Sequence, residues 1–67
     1  MPVVKVVELV GDSPDSWKDA IEDAVAKASE SIHNISGVEV KNLTASVKDG
    51  KIVDYKADLH LAFRVDE

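Results

Sequence analysis

Few side chains in this chain could do chemistry, and their types and spacing set limits at once. His33 and His60 are the two histidines and there is no cysteine, so thiolate nucleophiles, disulfides and thiolate metal sites are excluded. Two histidines alone do not build a structural zinc site. Spacing places no serine beside a histidine, and catalysis finds no support. Asp54 and Asp58 fall on one strand face but stand about 13 Å apart at strand rise. Calcium needs six to eight oxygens at about 2.3–2.6 Å, and the sequence holds no twelve-residue calcium loop. A calcium site would need carboxylates from neighbouring copies at a symmetry axis.

Those residues must be positioned by a short list of elements. SPDSWKDAIEDAVAKASESIHNI, from Ser13 to about Ile35, is the one convincing helix. Trp17, Ala20, Ile21, Ala24, Val25, Ala28, Ile32 and Ile35 recur in steps of three and four and form one apolar stripe. Ser13-Pro14 reads as an N-cap followed by a first-turn proline. Trp17 lies on the stripe and is expected to pack in the core or at an interface. His33 is expected near the helix C-terminus, where an imidazole suits the dipole.

The rest reads as strand. Val3 to Val10 is valine-rich, bounded by Pro2 and by Gly11-Asp12, and apolar on both faces. One helix covers one face, so the other calls for a second cover. Gly37 opens a second strand, VEVKNLTASV, and Asp49-Gly50 signals a two-residue type I′ hairpin. In the third strand Val53, Tyr55, Ala57, Leu59, Leu61, Phe63 and Val65 alternate with Asp54, Lys56, Asp58, His60 and Arg64. The turn sets a register in which Lys41 faces Asp58 and Glu39 faces His60, with an ion pair expected at the latter. A right-handed crossover makes strands one and two parallel with strand three between them. The expected fold is α+β, β-α-β-β in one domain, residues 1–67, with a three-stranded sheet of order 1-3-2 around one helix.

Sixty-seven residues make a small domain, which buries only about 60% of its unfolded surface. With no disulfide available, self-association is the expected compensation. Thirteen acidic against eight basic residues give a formal charge of −5, a poor match to a phosphate backbone. No apolar run reaches the roughly 20 residues of a membrane span, and MPVVKVVELV lacks a signal-peptide layout. A cytoplasmic protein without nucleic-acid or membrane partners is the expectation.

The chain resembles the dodecins over nearly its whole length. The matching pieces are KVVELVGDSP, AIEDAVAKASESI, GVEV and DYKADLHLAFRVDE. The resemblance implies a β-α-β-β fold, assembly into a hollow homododecamer, no enzymatic activity, and flavin (FMN or riboflavin) storage or buffering. Some members also bind coenzyme A. Two positions depart from the flavin-binding pattern. Gly37 stands where those members carry the tryptophan that stacks on the flavin ring, and Lys56 stands for the glutamine that covers its other face. Stacking contributes about 0.5–1.5 kcal/mol beyond area burial, so weakened flavin binding is implied. Arg64 matches the arginine that bacterial members present to a coenzyme phosphate. The SPDSW start resembles a subgroup that also lacks the stacking tryptophan and includes a calcium-binding member. By resemblance, then, the ligand-binding residues are Gly37, Val38, Lys56 and Arg64, with no metal ligand assigned. The alternative is an ion-binding or scaffolding shell without flavin.

Overall fold

The computed structural model describes residues 3–65; Pro2, expected to bound the first strand, lies outside them. Four elements follow one another: β1 Val3–Ser13, α1 Trp17–Ala28, β2 Ile35–Lys48 and β3 Lys51–Val65. The sheet order is β1-β3-β2, with β3 antiparallel to both neighbours. The topology matches the sequence expectation. Asp49 and Gly50 take φ of 54° and 75°, the double left-handed geometry that a type I′ turn requires.

The core lies between α1 and one face of β3. Ala20, Ala57, Leu59 and Leu61 are fully buried, with Ile21 and Ala24 packed against the cluster. Gly11, expected as a strand boundary, instead lies inside β1 beneath the helix. A Cβ there would fall 2.3 Å from the Ala20 carbonyl oxygen and 2.9 Å from Ala24 Cβ. The absence of a side chain at Gly11 is what lets the helix backbone approach the strand.

The helix is shorter than its apolar stripe, and both ends differ from expectation. Ser16, not Ser13, is the N-cap: its backbone is extended and its hydroxyl accepts from Asp19 N–H at 3.0 Å. Ser13 ends β1, buried; its hydroxyl donates to Asp19 Oδ2 (2.8 Å) and accepts from Asp15 N–H (3.0 Å). At the other end Glu30 and Ser31 donate to Lys27 and Ala28 carbonyls three residues back, the tightened winding that closes a last turn. Asn34 then takes a left-handed φ of 65° and the chain enters β2 at Ile35. His33 therefore lies exposed in this connection, not on the last helical turn.

The register holds one correction. Glu39 pairs with His60 as the turn predicts, but Asn42, not Lys41, pairs with Asp58. An irregularity after Val47↔Ile52 leaves Val53 as an extra residue on β3, and a second leaves Lys41 as an extra residue on β2. The two shifts cancel, which restores the Glu39↔His60 pair beyond them. A third places Ser36 outside the ladder between Ile35 and Gly37. Bulges add twist and bend a strand, which suits a sheet that curves over a helix.

Candidate functional site

Strand alternation puts Ala57, Leu59 and Leu61 against the helix and turns Lys56, Asp58, His60, Ala62 and Arg64 to the opposite, outer face. The strand partners extend each of these into a row across the sheet. Asp12–Lys56–Thr44, Val10–Asp58–Asn42, Glu8–His60–Glu39 and Val6–Ala62–Gly37 follow one another along the face, and Val4 pairs with Arg64 at its end.

Gly37 and Ala62 form the row with the least side-chain volume, and a hollow of about 300 Å³ opens there. It is lined by Val6, Gly37, Val38, Glu39, His60 and Ala62. A Cβ built on Gly37 meets nothing within 4 Å, so the space is open on that side. The floor is apolar, while Glu39 and His60 make one wall polar. His60 is contacted from β1: its Nε2 lies 3.7 Å from Glu8 Oε2, a contact longer than a hydrogen bond. Glu39, expected as the ion partner of His60, contacts the bulged Lys41 at 3.9 Å instead.

The four ligand-binding candidates fall in two places. Gly37 and Val38 line the hollow. Arg64 is exposed two residues beyond Ala62, about 7 Å along the strand. Lys56 lies six residues from Ala62 in the other direction, about 20 Å away, so one chain does not bring it to Gly37. Its ammonium is 4.0 Å from Asp54 Oδ2, and Asp12 is its partner on β1, which leaves its surroundings acidic rather than suited to an anion. Near it, Asp58 Oδ1 is buried without a hydrogen-bond partner.

Trp17 is committed to packing. Its indole N–H donates to the Thr44 carbonyl at 2.8 Å, and its ring meets Tyr55 edge-on at 4.9 Å and 78°. This contact ties the start of the helix to β2 and β3. A larger cleft of about 730 Å³ lies between β1 and the helix, with Leu9, Ala24 and Ile32 among its lining; none of the candidate residues borders it. Among the described residues, no three His, Asp or Glu groups gather in a way that could hold a metal ion, and no helix is long and apolar enough to cross a membrane.

The hollow's polar wall was not singled out from the sequence. Glu39 and His60 were placed opposite each other, but the apolar row beside them becomes a cavity only once Gly37 is seen to pair with Ala62.

A three-stranded sheet of order β1-β3-β2 over one helix, with a hollow on its outer face, defines a small α+β domain. The dodecin family model matches residues 3–66, and the chain belongs to that family. It is 32% identical to the dodecin of Thermus thermophilus over 97% of this chain and 94% of the relative. It is 31% identical to the calcium dodecin of Mycobacterium tuberculosis over 97% and 92%. The solved dodecin of Streptomyces coelicolor superposes with a TM-score of 0.94 at 32% identity, covering 98% of this chain and 94% of the other.

Proposed function

We propose that this protein is a non-enzymatic small-molecule-binding shell, a hollow homododecamer in the manner of its family, in which flavin or a related nucleotide cofactor is held weakly. The observation that carries the reading is the amount of apolar sheet left uncovered by the chain's own helix. Val4 and Val10, on either side of the hollow on the outer face of β1, are 56% and 64% exposed. Val38, Val40 and Leu43 on the helix side of β2 are also exposed, because α1 packs on β1 and β3. Large apolar patches on a small soluble domain mark surfaces that other molecules cover, and further copies of the chain fit both.

The residues present do not reproduce a flavin-stacking face. Gly37 offers no ring, and Lys56 sits among carboxylates about 20 Å from the hollow within one chain. A flavin ring would be sandwiched only by groups from different copies, without the aromatic contribution. Arg64 is the group suited to a phosphate, whether of FMN or of coenzyme A.

The test pairs native mass spectrometry with a flavin titration. A twelve-subunit mass is expected, and a monomer would overturn the assembly reading. Riboflavin fluorescence is expected to respond to protein only weakly, and Gly37→Trp to tighten binding about two- to twelvefold, the value of one stacking contact. Unchanged fluorescence with both proteins at millimolar concentration would remove flavin from the proposal.

A second reading has its own observation. The unpartnered Asp58 Oδ1, close to Lys56 and Asp54 in an acidic chain, favours a cation on this face, as does the similarity to a calcium dodecin. Six to eight oxygens would then come from more than one copy. A chelator-sensitive mass increment or thermal shift in calcium supports it; identical unfolding with calcium and with chelator removes it.

A further inference from the structure

The hollow beside Gly37 differs in chemistry from a site built for a flat neutral ring. Its floor is Val6, Ala62 and Gly37, without hydrogen-bonding side chains. Its one polar wall is Glu39 and His60, with Glu8 behind the imidazole at 3.7 Å. Lys41 stands on the bulge and reaches Glu39 only at 3.9 Å, with both side chains substantially exposed; such a contact is weak and exchangeable. Arg64 is on the same sheet face but outside the lining. The hollow therefore offers an apolar slot that ends on a carboxylate and an imidazole, an arrangement of mostly apolar lining with a few convergent polar groups.

We propose that this hollow takes a small organic cation: an ammonium head directed at Glu39, with an apolar body of phenyl size lying on Val6 and Ala62. The proposal rests on the small-molecule-binding reading above but not on flavin. The ammonium replaces Lys41 as the partner of Glu39, and the negative charge of Glu8 behind His60 adds to the attraction. The apolar body covers surface that is exposed in the chain, since Val6 is 57% accessible. With so few atoms, the affinity is on the order of millimolar.

The experiment is saturation-transfer NMR on the assembled protein as purified, with phenethylammonium as the probe, phenylacetate as its charge-reversed comparator, and riboflavin in parallel tubes. Transfer to phenethylammonium is expected, with little to phenylacetate. Glu39→Gln is expected to weaken phenethylammonium about two- to fivefold, the range of an exposed ion pair. Gly37→Trp is expected to abolish it by filling the hollow; the open space around Gly37 lets this variant fold. Phenylacetate binding as well as or better than phenethylammonium, pointing to Arg64, would overturn the proposal. So would no transfer to either, or transfer that survives Gly37→Trp unchanged. Riboflavin reports separately: its failure beside a positive phenethylammonium result removes the flavin reading and leaves this one standing.

Discussion

On the helix side of β3, Ala57, Leu59 and Leu61 are each fully buried, whereas one residue back along the strand in each case Lys56, Asp58 and His60 remain part-exposed. The first face is held by volume: small residues where the helix crosses, leucines where there is room. The second carries only long polar contacts of 3.7 and 4.0 Å, which contribute little in water. A strand built this way confines the fold's requirements to every other residue. The alternate positions are then free to vary without touching the core, and so is Gly37 on the adjacent strand, where a Cβ meets nothing within 4 Å.

The contrast predicts a graded series of substitutions. Leu59→Ala on the buried face is expected to cost about 2–5 kcal/mol, read as a lower urea midpoint at fixed protein concentration, since the proposed assembly would make stability concentration-dependent. A loss below 1 kcal/mol, on the order of an Ile→Val change, would mean that the helix reseats to fill the cavity. Gly11→Ala comes next, at about 1–3 kcal/mol of overpacking, because its methyl group would collide with the Ala20 carbonyl. An unchanged midpoint would show that the helix lifts off β1 without cost. Glu8→Gln on the outer face is expected to cost under about 1 kcal/mol. A larger loss would show the Glu8–His60–Glu39 row to be buried in the assembly, and would blur the distinction between the faces.

Alternation made β3 legible in the sequence, and Asp49-Gly50 made the hairpin legible, so sheet order followed from chain connectivity. The helix was legible as an element but not at its ends. Ser13-Pro14 imitates a cap, yet Ser16 with Asp19 three residues on carries the competing signal, and the hydroxyl of Ser13 is taken up in the strand-end turn. Ile32 and Ile35 continued the apolar spacing by coincidence with the start of β2. Lys41 was misplaced because a turn fixes register only as far as the first bulge. At the site, Gly37 and Val38 were found through resemblance. The hollow they border depends on Val6 and Ala62, ordinary apolar residues whose spacing carries no functional signal. Lys56 and Gly37, joined in one site by resemblance, lie about 20 Å apart along the sheet of one chain and meet only across copies.

The residues left outside the ladder also say where this chain can change length. Deleting Lys41 joins Val40, paired with Leu59, directly to Asn42, paired with Asp58; every remaining side chain keeps its partner and its face. The same holds for Ser36 and for Val53. Deleting a residue inside the ladder, such as Leu43, forces one flank of β2 to slip by a position and turns its helix-side apolar side chains to the outer face. Loss of a single codon is therefore tolerable in the middle of these strands at three known points, and disruptive between them.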